Sequence, residues 1–187
     1  MKAKDSLLLA AAVLLIGSCS FDYDEVRVAE DLSEHIPNSI VRNYVYVDVK
    51  PHSSSLRIYA GEARMYHANR RTELWNVFFQ EIDPEDKVIT EGEADRAVID
   101  TRSDNVELFG AIRCASADQE AEISADYLFW NNETRLLEGK EEGEVLIEKA
   151  DGTRIRGRGF SIDTAARSME FRSPVEGTYV YTEEGDD

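Results

Sequence analysis

From Ser39 onward, apolar and polar residues alternate with a period of two, and the apolar positions favour β-branched and aromatic side chains. The run Ile40-Val41-Arg42-Asn43-Tyr44-Val45-Tyr46-Val47-Asp48-Val49 opens the pattern. Such residues fit a pleated, half-buried surface, so this stretch predicts a strand. Turn-forming clusters then recur at Asn69-Arg70, Asp83-Pro84-Glu85-Asp86, Ser103-Asp104-Asn105, Ala117-Asp118-Gln119, Asn131-Asn132, Asp151-Gly152 and Asp163-Thr164. Strands of about ten residues joined by tight turns fill the gaps between them. No helical segment alternates with the strands, so the predicted sheet is antiparallel.

A longer period lies on top of the short one. Ala63, Ala94, Ala125 and Gly159 occupy equivalent places in Gly61–Tyr66, Gly92–Ala97, Ile123–Leu128 and Gly157–Ile162, at spacings of 31, 31 and 34 residues. Each is followed by a turn and a return strand: Glu73–Trp75, Val106–Gly110, Leu136–Gly139 and Met169–Phe171. Each unit reads as one hairpin. A lone hairpin cannot bury its apolar face, so the four must stack into one sheet. A small residue at each anchor relieves crowding on the inside of a strong curve, and Gly110 and Gly139 suit bulges. The expected fold is all-β: an antiparallel, folded-over sheet built from hairpin repeats.

Alternate residues of a strand share a face. On that rule Ala63 and Met65, then Val106, Leu108 and Ile112, then Ile123, Ala125, Tyr127 and Phe129, then Val145 and Ile147 form apolar stripes on one side of the sheet. These are the candidate lining of an apolar binding face; a closed core of the same residues is the alternative. Two end segments are aromatic and nearly uncharged: Tyr44-Val45-Tyr46-Val47 in the first strand, and Tyr179-Val180-Tyr181 within Gly177–Thr182. Exposed sheet edges invite pairing with another chain, so both are candidate partner edges.

The N-terminus has a different character. Lys2 and Lys4 precede an apolar run from Leu7 to Ile16, which ends in Ile16-Gly17-Ser18-Cys19. About 20 apolar residues are needed to cross a bilayer, so the run reads as a signal peptide. Its end resembles a bacterial lipobox, after which cleavage leaves Cys19 as a lipidated N-terminus; an ordinary signal peptide is the alternative. Two or more acyl chains hold a protein on a membrane durably. The expected organisation is a lipoprotein signal peptide (1–18), a lipidated tether (19–37), the β domain (38–182) and an acidic tail (183–187).

Charge and composition narrow the function. The 187 residues carry 38 acidic and 21 basic side chains, a net charge of −17. So acidic a surface repels a phosphate backbone and gives no electrostatic hold on an anionic membrane. His35, His52 and His67 are scattered, no metal-ligand spacing or Gly-x-Ser-x-Gly elbow occurs, and Gly157-Arg158-Gly159 lacks the setting of a nucleotide loop. No catalytic residue, metal or cofactor is expected. Cys114 sits between apolar neighbours and reads as a small core residue.

The order and spacing of these elements resemble the LptC/LptA/OstA group of periplasmic lipopolysaccharide-transport proteins. The resemblance rests on Ile123-Ser124-Ala125-Asp126-Tyr127, on the turnbacks Leu108-Phe109-Gly110 and Leu137-Glu138-Gly139, and on Asp151-Gly152-Thr153-Arg154-Ile155. It covers residues 38–182, and a single anchored module is most similar to LptC. It implies a V-shaped β-jellyroll whose interior holds acyl chains and whose edges join neighbouring jellyrolls into a bridge. The implied partners are lipopolysaccharide or a related glycolipid, an inner-membrane ABC transporter that supplies it, and an LptA-like protein that receives it. The implied location is the periplasm, on the inner membrane. A lipidated Cys19 in place of a transmembrane helix departs from that family, and the strong negative charge sits awkwardly with an anionic cargo. A structural or adhesive surface lipoprotein with a closed β core is the rival reading.

Overall fold

The computed structural model describes residues 35–49 and 54–180. The signal peptide, Cys19, most of the tether, Tyr181 and the acidic tail lie outside the described residues. The chain divides into Met1–Ile36 and Pro37–Asp187, and every described strand belongs to the second unit. These strands are β1 (Ser39–Asp48), β2 (Ser55–Tyr66), β3 (Arg71–Ile82), β4 (Val88–Asp100), β5 (Val106–Ser116), β6 (Ala121–Asn131), β7 (Leu136–Gly139), β8 (Glu144–Lys149), β9 (Arg154–Arg158), β10 (Phe160–Asp163), β11 (Ser168–Phe171) and β12 (Glu176–Thr178). All belong to one antiparallel sheet.

The alternation of inward and outward residues breaks once in each long strand. Ala60 and Ala63 are both buried, as are Leu74 and Val77, and Ala94 and Ala97. A spacing of three cannot keep two side chains on one face of a straight strand. The backbone therefore turns between them. Register pairing skips Asn43, Gly61, Asn76, Asp95, Gly110–Ala111 and Asp126, which follow one another across the sheet. Asn43 (φ 51°), Asn76 (φ 52°), Gly110 (φ 71°) and Ala111 (φ 42°) take left-handed backbone there. The skipped positions form a crease. Two residues of β5 at the crease oppose one of β6, a bulge that sharpens the bend.

Beyond β6 the crease becomes a break. β7 and β8 are separate strands beside β6, Gly159 (φ 62°) divides β9 from β10, and residues 172–175 divide β11 from β12. Two arms result. Arm A runs from the first half of β1 through β7 and β10 to β11; arm B runs from the second half of β1 through β8 and β9 to β12. The four hairpins read from the sequence are the arm A hairpins. The same strands continue past the crease and turn again at the tip of arm B.

One buried cluster joins the arms. Ala63, Leu74, Ala97, Leu108, Leu128 and Phe160 come from arm A; Ala60, Val77, Ala94, Ile112, Val145 and Ile147 come from arm B. At the crease small and large residues alternate by strand: alanines on β2 and β4, then Leu74, Val77, Leu108 and Ile112 on β3 and β5. Bulky side chains of one strand thereby fill the space left by its neighbours, as close packing requires. Among the described residues the sheet does not close: β1 pairs only with β2, β11 only with β10, and β12 only with β9.

Candidate functional site

The inner surface between the arms is the candidate site. Its floor, along the crease, is filled by the protein's own side chains; Phe160, Leu74, Ile112, Leu128 and Val145 are fully buried. Higher on the walls the inward residues are half-buried: Ile99, Val106 and Ile162 on arm A, and Ile58, Phe79 and Ile123 on arm B. These walls are apolar area that a ligand can cover, each Å² removed from water contributing about 25 cal/mol.

The structure brings together eight of the eleven residues predicted to line the face. Ala63, Leu108, Ile112, Val145 and Ile147 are in the buried cluster, and Val106, Ile123 and Ala125 pack against it. Met65 follows Ala63 on the same side of β2, half-buried but outside that cluster. Tyr127 and Phe129 lie on the opposite face. The crease at Asp126 reverses the alternation, so Leu128 turns inward and its neighbours turn out. The Tyr127 hydroxyl donates to Glu107 Oε2 at 3.0 Å, and its ring meets Phe109 edge-on at 5.3 Å. Burial, with Glu107 beside it, pushes the Tyr127 phenol up to about 12.

The outer face of arm A explains why aromatic residues stand there. Arg64 lies over Trp75 at 4.5 Å, Arg71 over Tyr66 at 4.6 Å, Arg96 over Phe109 at 4.8 Å and Lys140 over Tyr127 at 4.7 Å. Each ring is covered by a cation that its quadrupole attracts. Of these rings, alternation carried forward from Ile123 and Ala125 places Tyr127 inside; the signal that places it outside is the three-residue spacing Ala125/Leu128, which recurs at Ala60/Ala63 and Ala94/Ala97. Leu128 was missed for the same reason, and Leu74 and Phe160 because no apolar stripe was assigned to their strands.

Cys114 faces inward, and burial pushes its thiol up to about 12. No group of three potential metal ligands occurs among the described residues, and no helix among them is long and apolar enough to cross a membrane. A hollow of about 510 Å³ opens at the tip of arm B, with Val88, Ala115 and Ala121 beside Glu91, Glu122 and Glu148.

The two ends of the sheet carry most of the exposed large apolar residues. In β1, Val45, Tyr46 and Val47 are exposed, while Tyr44 turns inward and packs against the cluster. Burial raises the Tyr44 phenol above its usual range. Among the described residues the outer edge of β1 has no partner strand. At the other end the predicted strand over Gly177–Thr182 is shorter than expected: β12 stops at Thr178, and Tyr179 and Val180 follow it, exposed.

A family profile described as "Lipopolysaccharide-assembly, LptC-related" matches residues 7–180. The chain belongs to this LptC-related family. Its fold is the all-β, antiparallel, unclosed jellyroll expected of that membership. Among curated proteins none matches this LptC-related chain. Among solved structures it is similar to LptH of Pseudomonas aeruginosa, described as the LptA-homologous periplasmic component of the conserved lipopolysaccharide transport device. That similarity has 10% identity and a TM-score of 0.30, covering 80% of this chain and 99% of the other. LptC-related proteins are non-enzymatic, act in the periplasm and take part in lipopolysaccharide transport.

Proposed function

We propose that this LptC-related protein is a membrane-anchored carrier in the export of lipopolysaccharide or a related glycolipid. It receives lipid from an inner-membrane ABC transporter and passes it to the next jellyroll of a periplasmic bridge. Lipidation at Cys19 holds it to the inner membrane, and residues 19–37 serve as the tether. Acyl chains lie between the arms against Ile99, Val106, Ile123 and Phe79. The β1 edge, with Val45 and Val47, meets the transporter, and the C-terminal end, with Tyr179, Val180 and Tyr181, meets the bridge protein.

The observation that carries this reading is the apolar cluster shared by two arms of a sheet that does not close. Transfer then needs no bond to break. Apolar surface leaves one greasy wall and enters the next, with the cost of exposing tails to water avoided at each step.

A photoreactive residue at Val106 or Ile123 should capture lipopolysaccharide in cells that make it, whereas one at Phe129, on the outer face, should not. Co-purification of the transporter through β1 and of the bridge protein through the C-terminal end tests the order of partners. The filled floor at the crease favours the rival, a structural or adhesive lipoprotein with a closed core. Absence of capture at every inward position would favour that rival.

A further inference from the structure

The turns at the two arm tips differ in charge. Arm A ends in turns 67–70, 101–105, 132–135 and 164–167; the described turns of arm B are 83–87, 117–120 and 150–153. The arm A turns are bonded into a row. Thr101 donates to the Arg70 carbonyl from its N–H at 2.7 Å and its hydroxyl at 2.9 Å. Thr164 does the same to the Arg135 carbonyl at 3.1 and 3.0 Å. Between them, the Asn132 N–H donates to Asn105 Oδ1 at 3.0 Å.

Arg70, Arg135 and Arg167 each stand immediately before a return strand and take left-handed backbone, with φ of 48°, 60° and 55°. Glycine or asparagine adopts that conformation at less cost, and a carbonyl accepts the same bonds whatever its side chain. The arginine side chains therefore serve something other than the turn. All three are exposed, and none enters an ion pair among the described residues. Several strand arginines are paired instead: Arg64, Arg71 and Arg156 each face a glutamate. Trp130 lies 4.8 Å beneath the Arg135 guanidinium and supports it.

Rim A also has acidic members. Asp100 and Asp163 accept N–H bonds from their own turns, Asp104 takes the left-handed position of turn 101–105 (φ 56°), and Asp104 and Glu133 are exposed. On arm B the left-handed positions are Asp86, Glu120 and Gly152, with Asp83, Glu85, Asp118 and Asp151 in the same turns. The negative charge of the described turns is thus uneven: those of arm A set Arg70, Arg102, Arg135 and Arg167 against Asp104 and Glu133, whereas those of arm B set only Lys87 against Asp83, Glu85, Asp86, Asp118, Glu120 and Asp151.

We propose that Arg70, Arg135 and Arg167 form an anion-binding rim that takes the phosphate groups of a glycolipid headgroup whose tails lie between the arms. The proposal rests on the lipid-carrier reading above. Guanidinium is planar and donates in pairs, which suits phosphate oxygens. Neighbouring strands lie about 4.8 Å apart, so along the sheet order the three stations are roughly 19 and 10 Å apart. A headgroup can then be handed from one to the next while it stays clear of the carboxylates on arm B. This reconciles an acidic protein with an anionic cargo.

The test uses the purified full chain with phosphorylated lipid A, its dephosphorylated form, and phosphatidylglycerol vesicles as probes. The variant Arg70→Asn, Arg135→Asn, Arg167→Asn removes three charges and places a residue tolerant of left-handed backbone at each site, so the fold is kept; its melting curve checks that. The expected result is about tenfold weaker binding of phosphorylated lipid A, unchanged binding of the dephosphorylated form, and a flatter salt dependence. Asp86→Asn with Glu120→Asn should leave phosphorylated lipid A bound at least as tightly. Unchanged affinity for phosphorylated lipid A overturns the rim, as does an equal loss for both lipid A forms. A loss confined to the vesicles also overturns it, because the arginines would then face a membrane. If the unaltered protein binds neither form of lipid A, the carrier reading fails, and the rim with it.

Discussion

Strands β1–β6 run through the crease as single elements of 10–13 residues, whereas past β6 the same line cuts the strands into pieces of 3–6 residues. In the first region each strand is itself the link between the arms. In the second, the arms are held by what packs across the break. Phe160 and Phe171 meet with ring centroids 5.4 Å apart, beside Gly157, and residues 172 and 173 donate N–H bonds back to the Arg158 carbonyl. The difference teaches that one bend can be built in two ways: by backbone that tolerates left-handed geometry, or by side chains that fasten two short strands.

Truncating one buried residue in each region should separate the two modes most clearly. Leu74→Ala and Phe160→Ala should each cost about 2–5 kcal/mol in chemical denaturation. Hydrogen exchange should show Phe160→Ala loosening β7–β12 first, while Leu74→Ala lowers protection throughout. Equal loosening everywhere in both variants would erase the distinction.

Gly157→Ala comes next. A Cβ there would lie 2.5 Å from the Phe171 ring. Displacing that ring should cost about 1–3 kcal/mol. Combined with Phe171→Ala the clash disappears, so the double variant should be less destabilised than the sum of the two singles. On the unbroken side, Ala111→Gly relieves a left-handed alanine at φ 42° and should stabilise the fold by about 1 kcal/mol. A destabilised Ala111→Gly protein would mean that the crease draws on that side chain.

Smaller effects come from the flanks. The Tyr127 phenol is raised to about 12, mainly by burial. The folded state thus keeps a proton that the unfolded state releases from about pH 10, so this contribution is intact below pH 10 and is lost as pH rises toward 12. Tyr127→Phe should remove that part of the alkaline loss and the bond to Glu107, worth about 0.5–1.5 kcal/mol at neutral pH. Alkylation at pH 8 should leave Cys114 unmodified until the protein is unfolded, since burial holds its thiol protonated.

Much of the fold was legible from periodicity. The 31-residue spacing of Ala94 and Ala125 marks successive hairpins on the arm B side of the crease, but Ala63 lies on the arm A side, in line with Ala97, so the equivalence of Ala63 and Ala94 expected from spacing does not hold. What alternation alone does not reveal is the reversal of phase. A rule of two carries Ile123 and Ala125 on to Tyr127 and Phe129, but the bend at Asp126 hands the inward position to Leu128. The arginine rim was illegible for another reason: scattered cations become a row only when hairpins 30 residues apart are bonded turn to turn. The proposed anchor at Cys19 lies outside the described residues and rests on the sequence alone.

A sheet that never closes on itself has no fixed circumference, so its length is a free variable. Each added hairpin extends the domain by two strand spacings, about 10 Å, with no need to redesign the rest. A lineage that had to reach across a wider gap would duplicate one segment of about 31 residues, and distance would be inherited in whole steps.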